Sequence, residues 1–193
     1  MLMKNFKILF LAVISSLLFA SCFTASKRKS ADYYHENKAA INKIRFLYDK
    51  LYEQEAFGAG FTDKSCKYYL MEVTTDTVRY IYNTEKNKPQ VFETIRKFQY
   101  DTTMLREFAI QLKTIKCLWI NKASFYVNGK KDTITFLSFK SALTDRPFVE
   151  NKYYTLLFLN QPVKSTAGKE RIKNGDWVRI DSLVYFTIGG GFR

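Results

Sequence analysis

Apolar residues recur at helical spacing in two stretches of the chain. The first runs from Ser30, a candidate N-cap, to Gly58-Ala59-Gly60, a candidate helix end. The second is Thr103–Lys116, at the start of which any residue of Asp101-Thr102-Thr103 can cap the helix. The apolar positions are Ala40, Ile41, Ile44, Leu47, Tyr48, Leu51 and Tyr52 in the first stretch, and Leu105, Phe108, Leu112 and Ile115 in the second. Spacings of three and four place each set on one side of a helix, so both helices are predicted to pack against other elements.

Segments rich in Tyr, Val and Ile predict strands. They are Lys67–Val73, Thr77–Tyr82, Leu118–Val127, Thr133–Phe139, Tyr153–Leu159 and a last strand that starts at Trp177. Asn128-Gly129 favours a hairpin between the third and fourth of these strands. In the last strand, Val178, Ile180, Val184, Phe186 and Ile188 alternate with Trp177, Arg179, Asp181, Tyr185 and Thr187. This alternation predicts that one face of the strand meets the core.

The order of these elements predicts the fold class. A long helix, a hairpin, one or two further helices, counting Val91–Tyr100 as a weakly indicated one, and then four strands follow one another. This order predicts an α+β domain with helices packed on one face of an antiparallel sheet. A long leading helix followed by strands is also the order of the cystatin and NTF2-like folds, an analogy without a shared motif. Residues 31–193 are long enough for one domain with its own core.

The first twenty-two residues have the layout of a secretory signal segment. Two lysines give a positive start, Ile8–Ala20 is an apolar run, and small residues precede Cys22. A membrane-spanning helix needs about 20 apolar residues, which is more than this run offers. The four residues Phe19-Ala20-Ser21-Cys22 resemble the lipobox of bacterial lipoproteins, with Phe19 in place of the usual Leu.

This resemblance covers the targeting segment alone and implies a location. In bacterial lipoproteins the chain is cut before the cysteine, whose sulfur carries a diacylglycerol and whose new amino group is acylated, for example with palmitate. Residues 1–21 are therefore expected to be a signal peptide, Cys22 the lipidation site, and residues 22–30 a polar tether without periodicity. The expected location is the cell envelope, with the lipid in the outer membrane and the domain facing the periplasm. The alternative is an ordinary signal peptide with an incidental cysteine.

The charge of the chain narrows the choice of partners. The protein has 31 basic and 18 acidic side chains, a formal net charge of +13, of which the signal segment removes only Lys4 and Lys7. A basic surplus attracts anionic partners, and in an envelope these are lipid headgroups, glycan carboxylates or an acidic protein. Nucleic acid is not expected there. Scattered basic residues that keep the domain in solution are an equally good interpretation.

Candidate catalytic chemistry is sparse. His35 is the only histidine in the sequence, which excludes a site built from several histidines, and its position at the start of the long helix indicates an exposed or capping residue. Asp176 and Asp181 are predicted to face opposite ways, so they are expected to be solvated charges rather than an acid pair. We expect no enzyme activity, metal or cofactor.

Cys66 and Cys117 either form a disulfide or are buried as unpaired thiols.

The segment Asn160–Asp176 is the best candidate for a binding region. Loops of this length are uncommon in compact domains unless they bind something or are disordered. Its basic residues and the tryptophan that follows are Lys164, Lys169, Arg171, Lys173 and Trp177. Cations beside an aromatic face suit an anion or a glycan. The sequence therefore predicts a non-enzymatic binding or structural role toward an anionic envelope component or an envelope protein.

Two alternatives remain open. The segment could be a solvated connection between strands. The protein could also bind a small ligand or a glycan in an aromatic groove, because tyrosines cluster on the predicted strands at positions 68, 69, 80, 82, 153 and 154.

Overall fold

The computed structural model describes residues 25–61, 65–75, 79–83, 93, 95–127, 130–142 and 152–189. The predicted signal segment and Cys22 lie outside these residues, as does the Asn128-Gly129 turn. The described residues include the helices α1 (residues 25–36), α2 (Lys38–Gln54), α3 (Thr102–Thr114) and α4 (Thr166–Lys173). Residues 93 and 95–97 are also helical, within the weakly indicated Val91–Tyr100. The strands are β1 (Phe57–Phe61), β2 (Tyr69–Thr74), β3 (Arg79–Asn83), β4 (Trp119–Val127), β5 (Lys130–Ser141), β6 (Tyr153–Leu159), β7 (Val178–Asp181) and β8 (Val184–Gly189).

The fold is α+β, as the sequence predicts. The eight strands form one antiparallel sheet in the order β3-β2-β1-β4-β5-β6-β8-β7. Helices α1, α2 and α3 cover one face, which we call the helix face. Helix α4 lies over the other face, called here the α4 face, beside a smaller apolar cluster. The likeness to cystatin and NTF2-like folds remains an analogy of element order.

The aromatic core on the helix face joins three elements. Tyr48 of α2 stacks on Phe108 of α3 with ring centroids 5.7 Å apart, and meets the edge of Phe57 of β1 at 5.1 Å. The Tyr48 hydroxyl is fully buried and donates a hydrogen bond to the Phe57 carbonyl at 2.5 Å. Burial raises the pKa of Tyr48 well above its usual value. The hydroxyl therefore stays protonated and acts as a fixed donor between α2 and β1.

The helical region begins earlier than the sequence pattern indicates. Residues 25–30, expected to be part of a tether, are helical, and Ser30 is a buried residue inside α1 rather than an N-cap. Tyr33 of the same helix stacks on Phe139 at 3.9 Å, and Tyr34 lies 6.3 Å from Phe158. The inner face of α1 is polar at Ser30 and aromatic further on, so it lacks the apolar repeat by which helices are recognised in a sequence.

Helices α1 and α2 meet at Asn37. Its backbone, with φ −108° and ψ 12°, departs from helical geometry, and its side-chain amide donates to the Tyr33 carbonyl at 2.9 Å. The long leading helix of the prediction is therefore two helices joined by a single non-helical residue. Helix α3 agrees with its prediction, and the Asp101 side chain caps it by accepting from the Met104 backbone N–H at 2.9 Å.

Gly58-Ala59-Gly60 does not end a helix, because it forms the centre of strand β1. A Cβ at Gly58 would lie 2.9 Å from the Trp119 ring, and a Cβ at Gly60 would lie 2.0 Å from the Leu118 carbonyl oxygen. Both glycines are required by the close approach of β4. Gly58 and Gly60 therefore indicate close packing between strands and not the end of a helix.

The last predicted strand is a hairpin. β7 and β8 pair antiparallel around the turn at Ser182 and Leu183, with Val178 opposite Phe186 and Arg179 opposite Tyr185. The predicted faces are kept, since Val184 and Phe186 lie in the helix-face core and Tyr185 in the α4-face cluster. Ile188, at the end of β8, is exposed. No helix within the described residues is both long and apolar enough to cross a membrane.

Asp181 connects this hairpin to the first two helices. Its carboxylate accepts from the Ser182 backbone N–H at 2.7 Å, the Tyr34 hydroxyl at 3.1 Å and the Lys38 ammonium at 3.1 Å. The Ser182 hydrogen bond, followed by those from Lys38 and Tyr34, lowers the pKa of Asp181 to about 2. Asp181 is thus a structural acceptor rather than the solvated charge that the sequence indicates.

We predict that Asp181→Asn removes an acid-sensitive part of the stability. A carboxyl whose pKa is lowered on folding stabilises the protein above its unfolded pKa of about 4, and this contribution disappears as the pH falls toward 2. The variant should be less stable than the parent at pH 7 and should lose less stability between pH 4 and pH 2. Urea unfolding followed by circular dichroism at several pH values measures this. Asp176→Asn, at an exposed position, is the control, and parallel pH profiles for parent and Asp181→Asn would contradict the prediction.

Candidate binding site

The predicted loop between β6 and β7 contains a helix. Residues 166–173 form α4, whose N-cap Ser165 accepts a hydrogen bond from the Gly168 backbone N–H at 3.1 Å. The loop interpretation of Asn160–Asp176 is therefore wrong for half of the segment. Ile172 is the large apolar residue that α4 turns toward the α4-face cluster, so its sequence shows little of a helical apolar repeat.

Helix α4 ends in a turn that returns the chain to the sheet. Gly175 has φ +80°, a left-handed conformation that glycine adopts without strain, and its N–H donates to the Ile172 carbonyl at 3.1 Å. The Trp177 backbone N–H then donates to the Arg171 carbonyl at 3.1 Å. These bonds hold Trp177 beside the last turn of α4.

A cavity of about 270 Å³ lies between α4 and the α4 face of the sheet. Its apolar wall includes Ile134 of β5, Leu159 of β6 and the Trp177 ring. Its polar residues are Asp132, Lys164, Ser165 and Arg171. The Arg171 guanidinium lies 5.6 Å from the centre of the Trp177 ring, at the distance of a cation–π contact.

The sheet side of the cavity is fixed by side-chain hydrogen bonds. Asp132 accepts from the Thr133 backbone N–H at 2.8 Å and from the Gln161 side-chain amide at 2.9 Å. Asn160 donates to the Thr133 hydroxyl at 2.7 Å. These contacts tie the start of β5 to the turn after β6. Asp132 therefore has its hydrogen-bond partners within the protein, whereas the two basic side chains of the cavity, Lys164 and Arg171, are exposed.

The structure brings together three of the five predicted binding residues. Lys164, Arg171 and Trp177 line the cavity, whereas Lys169 and Lys173 are exposed on α4 and are not part of its lining. Helical spacing explains the division, because Gly168 and Arg171 are three residues apart and share the face of α4 that turns to the cavity. The sequence analysis missed Asp132 and Ser165, which belong to the site through strand pairing and helix capping.

The other candidate residues lie elsewhere. Cys66 and Cys117 are both buried in the helix-face core and are not joined by a disulfide, which corresponds to the second alternative. Burial raises the pKa of Cys117, so it is present as an unreactive thiol. His35 is exposed on α1. Within the described ranges, histidine, cysteine and acidic side chains form no group of three that could hold a metal ion.

The structure shows the surroundings of some of the tyrosines on which the aromatic-groove alternative was based. Tyr69 and Tyr154 pack against the helix-face core, so both are structural. The side chains of Tyr80 and Tyr82 lie outside the described set. The aromatic surface at the cavity comes instead from Trp177, whose ring lies 6.5 Å from that of Tyr185.

Comparison with known proteins gives no relative to guide the assignment. No protein-family model, no curated protein and no solved structure matches this chain. The cavity must therefore be interpreted from its own geometry. It combines an apolar wall, one aromatic ring and two exposed cations, which suits a ligand group that is part apolar and carries a negative charge.

We predict that Gly168→Ala disturbs this site by overpacking. A Cβ at Gly168 would lie 2.5 Å from Val163 Cγ1 and 2.8 Å from Ser165 Oγ, so α4 must move away from the preceding turn. Overpacking of this kind costs about 1–3 kcal/mol, measurable as a lower free energy of unfolding in urea. Adding Val163→Ala, which removes the closest clashing atom, should recover part of the loss. A Gly168→Ala variant as stable as the parent would show that the contact between α4 and this turn is not tight.

Proposed function

We propose that this protein is a lipid-anchored, non-enzymatic binding protein of the cell envelope. The lipobox-like sequence that ends in Cys22 supports the anchor, and the cavity between α4 and the sheet supports the binding role. In this proposal Cys22 carries the lipid in the outer membrane, and the α+β domain faces the periplasm. The partner is an anionic envelope component or an acidic segment of an envelope protein.

The observation that carries the binding role is the position of Arg171 and Lys164 at the mouth of an apolar cavity. Arg171 presents a planar guanidinium that pairs with carboxylate or phosphate, and its contact with Trp177 limits its freedom before a ligand arrives. Lys164 supplies a second cation on the same cavity. At about 270 Å³ the cavity suits one charged group with a small apolar part, such as an acidic side chain or a single acidic sugar.

A small-ligand or glycan-binding lipoprotein is the second candidate. The Trp177 ring favours it, because a sugar ring stacks well on a flat aromatic surface. The two candidates differ in what is bound, a macromolecular partner in the first and a free small molecule in the second. Both use the same cavity and the same cations.

We predict that the lipid anchor depends on Cys22. Cys22→Ala should abolish incorporation of a palmitate label and move the protein from the membrane fraction to the soluble fraction, because the Cys22 sulfur is the atom that carries the diacylglycerol. Metabolic labelling and fractionation of cells that express the full-length precursor measure both effects. Cys66→Ala, at a buried thiol, is the matched cysteine control. Membrane association that survives Cys22→Ala would overturn the anchor proposal.

The cavity is tested by two charge-reversal pairs of equal size. Lys164→Glu with Arg171→Glu changes the cavity, whereas Lys169→Glu with Lys173→Glu makes the same change in net charge on exposed residues outside it. Crosslinking in native membranes, followed by mass spectrometry of what is captured, should show loss of the partner with the first pair and retention with the second.

Equal loss with both pairs would indicate attraction to total charge rather than to the cavity. No loss with either pair would remove the cavity from the binding role. A captured protein or anionic envelope polymer favours the first candidate function, and a captured free small molecule or sugar favours the second. Circular dichroism of both variants checks that the fold is unchanged.

A further inference from the structure

A second concave surface lies at the beginning of α1, far along the sequence from the α4 cavity. It is a groove of about 620 Å³ between α1, the residues that follow α3, and the end of β5. Residues 25, 28, 29, 32, 33 and 36 line it at helical spacing, so it runs along one face of α1. Ile115, Phe139 and Lys140 form part of the opposite wall.

The floor of this groove is apolar and fixed in position. Tyr33 and Phe139 stack with ring centroids 3.9 Å apart and an interplanar angle of 10°. The Tyr33 hydroxyl donates to the Ile115 carbonyl at 2.8 Å, and this hydrogen bond fixes the orientation of the Tyr33 ring. An aromatic pair held in this way gives an apolar ligand segment a preformed surface.

The rim of the groove brings two like charges together. Lys29 of α1 and Lys140 of β5 are 111 positions apart in the sequence, yet both line this groove. The proximity of Lys29 lowers the pKa of Lys140. The Lys29 ammonium also lies 5.5 Å from the centre of the Tyr154 ring. Two cations on the rim of one groove repel each other, and an anion bound between them would relieve this repulsion.

The acidic residues of the groove do not supply that anion. Asp32 forms an ion pair with Arg28 at 3.8 Å. Glu36 lies seven residues beyond Lys29, about 10 Å along the helix axis. Over the described parts of the chain, neither Lys29 nor Lys140 has a carboxylate within ion-pair distance. The two ammonium groups therefore form a site for an external anion.

The position of the groove indicates which anion this is. Ala25 is both the first described residue of α1 and part of the groove lining. It is three positions from Cys22 in the sequence, a reach of at most about 11 Å. A lipid on Cys22 would therefore place the mouth of the groove at the level of the phospholipid headgroups, whose layer is several ångströms thick.

We propose that this groove binds the headgroup of an anionic phospholipid, with the lipid phosphate between Lys29 and Lys140 and the adjoining glycerol on the Tyr33–Phe139 floor. The proposal rests on the lipid anchor of the proposed function, since the anchor brings the groove to the membrane. Binding would fix the orientation of the domain on the surface. It differs from general attraction to basic residues near the anchor because it requires Lys140, which is distant in sequence, and does not require Lys27.

The test uses the whole chain from residue 22 onward with Cys22→Ala, so that no acyl chain holds it to the membrane. Its sedimentation is measured with vesicles of phosphatidylcholine alone and with vesicles containing phosphatidylglycerol, at physiological salt. Lys29→Ala and Lys140→Ala should each weaken binding to the anionic vesicles about tenfold, the effect expected for a hydrogen bond to a charged group. Lys27→Ala, a change of equal charge on the same helix but outside the groove, should weaken binding less, by no more than the roughly fivefold effect of an ordinary lysine near an anionic surface.

Three results would overturn the proposal. Equal weakening by Lys27→Ala and Lys29→Ala would mean diffuse attraction to the membrane. Normal binding by Lys140→Ala would remove the two-cation site. Competition by soluble glycerol phosphate at concentrations comparable to the lipid would mean a site for a free phosphate ester rather than for a membrane. Because the acyl chain is absent from this experiment, its failure would leave the Cys22 result untouched.

Discussion

The fold depends on the buried hydroxyl of Tyr48. Its ring fills the space between α2, α3 and β1, and its hydroxyl has to find an acceptor there because an unpaired buried polar group is costly. The acceptor is a backbone carbonyl of β1, so the first strand is held against the helix that immediately precedes it. This contact sets the start of the sheet relative to the helix layer. The other residues of the helix-face core pack around this contact.

Both candidate sites lie where helices meet the sheet at its margins rather than in its centre. The α4 cavity is formed by a short helix that covers only part of its face. The groove at α1 lies between that helix and the end of β5. In each site an aromatic surface stands beside cations.

The elements that the sequence predicts well are those whose partners are apolar and regularly spaced. Helix α3 and strand β6 follow their patterns closely, because one face of α3 and both faces of most of β6 are buried. Strand β1 was missed because its glycines respond to Trp119 and Leu118, residues about 60 positions away. The start of α1 was missed because a buried serine, Ser30, carries no apolar signal. Long-range packing of this kind is not encoded in local periodicity.

The candidate site was predictable in composition and not in arrangement. Lys164, Arg171 and Trp177 stand out in the sequence as cations near an aromatic residue. If the segment is assigned as a loop, nothing distinguishes these residues from Lys169 and Lys173. Helix α4 does distinguish them, because only one of its faces turns to the cavity. The aliphatic wall of the cavity could not be assigned either, because Ile134 joins Leu159 only through the pairing of β5 with β6. Strand register is a global property of the sheet.

Strand β6 has one further consequence. Leu156 and Phe158 belong to the core under the three helices, while their neighbours Leu157 and Leu159 belong to the cluster under α4. Neighbouring residues of β6 thus pack into two separate apolar clusters, one on each face of the sheet. A substitution that reshapes the binding side of the sheet leaves the packing of the other side largely unchanged. The specificity of the cavity can therefore diverge during evolution while the helical core, and with it the fold, is conserved.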